Sequence, residues 1–278
     1  MKLMNSSLII AMNSMSAYQN KIDIISDNVA NMDTIGYKKK TSVFADLLNT
    51  TKNQPESFEL EGRLTPNGFT QGWGSRIVAL VPDFTQGVLK QTNLSTDIAI
   101  EGRGLFEIQV DEAGTIAYTR DGSFQVSING EGQAILATTQ GYPVVATLAD
   151  GSQGSIVIPD GYNMQVQNDG TVLAVNNLET LTLGRINVVN PIRPEAMTQV
   201  ADNLYAISEG LNAEDVVQRI VPGTDNSVSL SQGYLEQSNV DLTVETTDLI
   251  RVQRAYQLAS RALTSSDTMM QITNNLRS

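Results

Sequence analysis

Asp27-Asn28-Val29-Ala30-Asn31-Met32-Asp33-Thr34-Ile35-Gly36-Tyr37-Lys38 closes a stretch, Met4 to Lys38, whose apolar residues repeat as on a helix that meets another helix. Leu8, Met15, Ile22 and Val29 recur every seven residues, and Ala11, Tyr18, Ile25 and Met32 follow each of them by three. This is the a/d alternation of a coiled-coil seam, and a seam of that kind leaves apolar surface in water until a partner covers it. Ile10, Ala17 and Ile24 form a second apolar row away from the first, which a single partner helix would leave uncovered and which is therefore expected to serve neighbouring chains. Asn31 and Asp33 are poor helix-interior residues and Gly36 suits a left-handed stop, so the helix is expected to end near Gly36.

The other end of the chain supplies a partner. From Val240 onward the pattern is helical again, with Asp241 or Thr243 placed to cap the start. Leu249, Val252, Tyr256, Ala259, Leu263, Ser266 and Met270 occupy a/d positions, widened by Ala255, Ala262, Met269 and Leu276. Small residues at 255, 259 and 262 would let another helix approach closely. The two ends are thus expected to pair as a coiled coil, with the rest of the chain inserted between them.

That middle reads as strands. Arg76–Val81, Gly87–Gln91, Gly104–Val110, Ile116–Thr119, Phe124–Ile128, Ala134–Ala137, Val144–Leu148, Ser155–Ile158, Thr171–Val175 and Leu181–Val189 are short runs of β-like texture. Phe106, Ile108 and Val110 alternate with Glu107 and Gln109, and Phe124, Val126 and Ile128 repeat the pattern, so each trio is expected on a buried face of an antiparallel sheet. Asp121-Gly122, Asn129-Gly130, Asp150-Gly151, Asp160-Gly161 and Asp169-Gly170 are turn dipeptides that tolerate positive φ. The fold class is therefore mainly β, a central antiparallel domain inserted between N- and C-terminal helices. Its expected division is 1–37 (helix), 38–74 (extended connection), 75–232 (β domain) and 233–278 (helix).

Within the connection, Asn49 to Gly74 is polar, broken by Pro55 and Pro66, and carries Phe58, Phe69 and the single tryptophan, Trp73. Such long loops tend to be functional, and these aromatics either pin the loop to its own chain or dock on another subunit. Lys38, Lys39 and Lys40 read as a solvated basic patch near a helix C-terminus.

Composition removes much chemistry. With no cysteine and no histidine among 278 residues, disulfides, thiolate and imidazole ligation, and Ser-His or Cys-His catalysis are excluded. Eighteen basic against thirty acidic residues give a net charge of −12, which disfavours nucleic acid and anionic lipid and points to protein partners. No run of apolar residues is long enough to span a membrane, and the N-terminal residues lack the apolar core and cleavage site of a secretory signal. No cofactor, metal or catalytic residue is expected.

Three motifs carry a family resemblance. Asp27 to Asn31, with Asn28, Ala30 and Asn31, followed by Thr34 and Gly36-Tyr37-Lys38, is similar to the N-terminal signature of bacterial flagellar hook and basal-body rod subunits. Asp97 to Gly102, Gly104-Leu105-Phe106, and Tyr118-Thr119-Arg120-Asp121-Gly122-Ser123-Phe124 resemble the start of that family's β domain. Gly233-Tyr234-Leu235-Glu236-Gln237-Ser238-Asn239-Val240-Asp241, with Ile250 to Tyr256, resembles its C-terminal signature. The Asn49–Gly74 connection is similar to the insertion of distal rod subunits; proximal rod and hook-type subunits share the three motifs. The resemblance implies a helical homopolymer whose terminal helices form an inner tube. It also implies contacts with other rod and hook proteins, delivery by the flagellar type III export apparatus, and a place in the basal body outside the cytoplasmic membrane.

Other readings use the same residues. A cell-surface adhesive β protein with a small closed helical oligomer would share the layout. Asp121 with Glu131, or Glu101 with Glu107, could be imagined as a glycosidase pair. Gly102-Arg103-Gly104 lacks the third glycine of a dinucleotide loop and enters a strand, so it is a turn. Arg120-Asp121 reads as a local ion pair or turn, and the surroundings of Asp169 lack the ligand spacing of a calcium loop. Met4, Met12, Met15 and Met32 are expected as adaptable core in an assembled state.

Overall fold

The computed structural model describes residues 2–46, 50–52, 69–111, 114–130, 132–176, 179–201, 203–208, 210–223 and 228–276. They form a mainly β protein with one long helix toward each end, Lys2–Ala30 and Leu242–Asn275, and antiparallel strands between. Backbone contacts divide it into two compact units, one of Met1–Asp27, Thr41–Leu80 and Leu242–Ser278, the other of Asn28–Lys40 and Val81–Asp241. Phe58 and most of the Asn49–Gly74 connection lie outside the described residues.

In the helical unit, the C-terminal helix follows its expected periodicity closely. Leu249, Val252, Tyr256, Ala259, Leu263, Ser266 and Met270 are half-buried, whereas Ile250, Leu258, Met269 and Ile272 are more than half exposed. The Ser7 and Ser266 hydroxyls are 3.3 Å apart, and a groove of about 450 Å³ runs between residues such as Ala11 and Tyr18 on one helix and Ala255 and Ala259 on the other. Small side chains on both walls leave that space unfilled. The N-terminal helix departs from expectation. Ala11 and Ile25 of the a/d row are buried as expected and Leu8, Met15 and Ile22 are half-buried, but Ala17 and Ile24, expected to await neighbouring chains, are also only 3% and 8% exposed. The chain covers part of that row itself: Gly74 packs on Ile10 and Asn13, and the Asn13 amide donates to the Trp73 carbonyl at 2.9 Å. At least one loop segment beside an aromatic is thus tied to its own chain. A two-stranded ribbon of Lys40–Asp46 and Ser75–Pro82, within this unit except at its very ends, exposes Val43, Phe44, Val78 and Leu80.

In the β unit, a six-stranded antiparallel sheet runs in the order Met197–Ala201, Leu204–Ile207, Ile116–Thr119, Leu105–Gln109, Val188–Pro191, Val217–Ile220. A five-stranded sheet runs Gln153–Ser155, Val145–Leu148, Thr180–Ile186, Thr171–Val175, Asn163–Val166. Ile98, Ile100, Phe106, Ile108, Leu136 and Ile186 lie at the centre of the main core, with Phe106 and Phe124 edge to face at 5.0 Å. Each such buried side chain contributes about 1.5–3 kcal/mol. Two expectations change here. Leu181–Val189 is two strands broken at Asn187, whose side chain turns inward to Glu107 and Thr147. Val126 and Ile128 are 49% and 75% exposed, because Phe124–Ile128 pairs only with Ala134–Thr138 and leaves the main core after Phe124.

Candidate functional site

The three sequence motifs converge on one buried cluster inside the β unit. The N-terminal helix ends at Ala30, six residues before Gly36, because the Asn28 side chain turns the chain back on itself. Its Oδ1 accepts from the Lys40 amide at 2.9 Å and the Tyr37 hydroxyl at 3.2 Å, and its Nδ2 donates to the Lys40 carbonyl at 3.1 Å. Satisfying three polar groups this way makes a buried asparagine stabilising where an unpartnered one would be costly. Gly36 then has φ +69°, and a Cβ there would lie 2.6 Å from the Asp121 nitrogen. Only glycine permits both that backbone and that closeness.

Beyond Gly36 the chain delivers Lys38 to Glu236, Nζ to Oε1 at 2.7 Å, with both side chains 1% exposed. Arg120 reaches the other carboxylate oxygen through Nε at 2.5 Å and donates its remaining N–H groups to the Gly104, Ile100 and Gly102 carbonyls. Lys38 also donates to the Thr85 carbonyl at 2.7 Å, and Glu236 accepts from the Gly87 amide at 2.6 Å. Asn239 accepts from the Lys39 amide at 2.8 Å and donates to the Asp83 carbonyl at 2.8 Å. Segments near residues 38, 85, 102, 120 and 236 are thereby tied through one carboxylate.

Two buried cations share that single anion. Burial, then the Arg120 charge, lower the Lys38 ammonium to about 8, against the opposing pull of Glu236. Burial likewise lowers the Arg120 guanidinium. Burial, followed by Tyr37, raises the Tyr205 phenol.

Lys38 is thus not part of a solvated patch, and Arg120 pairs with a residue 116 positions away instead of its neighbour. Asp121 makes a turn, accepting from the Ser123 amide and hydroxyl, and Gly122 lies against the Ile98 carbonyl. Gly233 adopts φ +78° beside Asn93, while Ser238 accepts from the Val240 amide. Among the imagined acid pairs, Glu107 receives Arg219 and Asn187, and Glu101 receives Ser229 and Ser231, so these carboxylates are taken up by donors. Sequence reasoning missed the depth of Lys38 because its partner is 198 residues distant. The available signal was that Lys38, Arg120 and Glu236 each fall within a separate motif.

Comparison with known proteins matches three family descriptions to this chain. Residues 8–38 match flagella basal body rod protein, residues 99–174 the D1 domain of flagellar hook protein FlgE/F/G, and residues 231–276 the C-terminal part of flagellar basal body rod FlgEFG protein. The cluster takes one charged residue from each matched segment. Flagellar basal-body rod protein FlgG of Borreliella burgdorferi is 36% identical over 273 residues, covering 96% of this chain and 97% of that protein. FlgG of Agrobacterium fabrum is 33% identical, with coverage of 96% and 97%. Flagellar hook-basal body complex protein FlhP of Bacillus subtilis is 32% identical, with coverage of 98% and 99%.

Proposed function

The chain belongs to the flagellar basal-body rod protein family, and from that premise we propose that it is a structural subunit of the rod, of the distal kind, located in the flagellar basal body. The family is structural and not enzymatic. The observation that carries the reading is likeness to FlgG proteins along almost the whole chain, both terminal helices included. Within this reading the subunit polymerises with copies of itself, joins other rod and hook proteins, and is delivered by the flagellar export apparatus. Among the described residues no helix is long and apolar enough to cross a membrane.

The finer geometry of the proposal concerns the ends. The helices Lys2–Ala30 and Leu242–Asn275 pack as a coiled coil in the assembled rod, through Leu8, Met15, Tyr18, Ile22, Ile25 and Val29 on one and Leu249, Val252, Tyr256, Ala259, Leu263 and Met270 on the other. Half-burial of these stripes, Ile25 alone being fully buried, supports the assignment, since packing against further copies would complete it. Segments 1–37 and 233–278 serve as tube-forming parts, 75–232 as an outer β layer, and 38–74 as a reach toward neighbours.

A strain lacking this chain tests the function: electron microscopy of its basal bodies is expected to show rods that stop short and carry no hook. Hooks attached as in the parent would overturn the reading.

A further inference from the structure

The five-stranded sheet and the strands Val188–Pro191 and Val217–Ile220 border a cavity of about 430 Å³ in the β unit, remote in sequence from the three motifs. Its polar wall is Thr147, Thr171, Thr182, Arg185, Asn187 and Arg219, the rest is largely aliphatic, and no carboxylate lines it. Composition makes this unexpected: between residues 81 and 241 acidic residues outnumber basic ones twenty to six, yet two of the six meet on one acid-free wall. An acid lies near each arginine outside the lining. Glu107 accepts from Arg219 Nε at 3.1 Å and Nη2 at 3.2 Å, holding a side chain that is half exposed. Asp169 acts on Arg185 through its charge, but its oxygens are taken up by the Thr171 amide at 3.0 Å and hydroxyl at 2.8 Å. Arg185 Nε is buried without a hydrogen-bond partner.

Arg219 is held in place by Glu107, and Arg185, whose nearby Asp169 turns its oxygens to Thr171, keeps a buried Nε that no partner takes up. Arginine's planar guanidinium suits a carboxylate, and hydroxyls can complete its coordination. Because one acid already lies near each arginine, a monoanion fits better than a phosphate dianion. We propose that this cavity is a carboxylate-binding site gripped by Arg185 and Arg219. Its ligand is either a free small carboxylate or an Asp or Glu side chain of a second copy of this chain. The second source rests on the rod reading; the first does not.

The test uses dilute, unassembled full-length chain titrated with sodium acetate against sodium chloride at equal ionic strength, followed by NMR at the Thr171, Thr182 and Arg185 amides. Saturable shifts with acetate alone are expected, weakened about tenfold or more by Arg185→Gln, partly restored by Arg185→Lys and unchanged by Arg193→Gln. Thr182→Val, which removes one hydroxyl from an exposed strand position, should weaken binding too and covers the case in which Arg185→Gln does not fold. No saturable shift, or the same shift with chloride or in both Arg185→Gln and Thr182→Val, overturns the proposal. If acetate binds and Arg185→Gln rods also form more slowly than wild type, the ligand is a neighbour's side chain. If acetate binds and rod formation is unaffected, it is a free carboxylate. Failure of the rod reading would leave the acetate result standing.

Discussion

Glu236 is the residue on which the buried cluster depends, since Lys38 and Arg120 have no other carboxylate within bonding distance in it. Replacing it by Gln would strand two cations away from water, and breaking a buried pair costs about 3–5 kcal/mol. Urea denaturation of Glu236→Gln is expected to show a loss of that size. Lys38→Met should behave differently, because it removes the surplus cation and leaves Arg120–Glu236 intact. At pH 7 it is expected to lie within about 1 kcal/mol of wild type. The pH dependence has a definite sign. Lys38 titrates at about 8 when folded against 10.5 ordinarily, so between those values the unfolded chain binds more protons and stability rises with pH. Relative to Lys38→Met, wild type should gain roughly 3 kcal/mol on going from below pH 8 to above pH 10.5, measured as the difference between their denaturation curves. A flat difference would mean that burial does not perturb this ammonium.

The C-terminal helix carries two faces with different uses. Leu249 to Met270 mark the half-buried stripe, and Ile250, Leu258, Met269 and Ile272 gather on a face the single chain leaves in water. Leu258→Asp is therefore expected to leave the β unit's thermal unfolding unchanged while abolishing rod formation by sedimentation; rods formed at wild-type concentration would show that this face is not an assembly surface. The half-buried stripe was legible in the sequence because a seven-residue repeat sustained from 249 to 270 leaves one helical phase. The N-terminal helix was less legible, since two apolar rows offer two phases, and which residues of each are buried depends on segments far along the chain, such as Trp73–Gly74. Alternation in Phe124–Ile128 identified which side chains point together, but not that the strand would run past the core. Lys38 was illegible for the same reason in stronger form: lysine is read as exposed unless its counter-ion is known, and that ion is 198 residues away.

For the molecule as a whole, helices whose apolar faces remain partly wet contribute little to the stability of a lone subunit. Far-ultraviolet circular dichroism is expected to show less helix in dilute subunit than in assembled rods, with ordering coupled to assembly. Equal helix content in both states would refute that coupling. The β unit needs no such help, having its own core and its own charged cluster. That cluster joins positions 38, 120 and 236, so a chain stopped short of Glu236 would hold two buried cations with nothing to neutralise them. Completion of the ion cluster thus acts as a register of chain length: a chain cut before Glu236 is expected to be digested by protease faster than the full chain, because the cluster cannot close without that carboxylate.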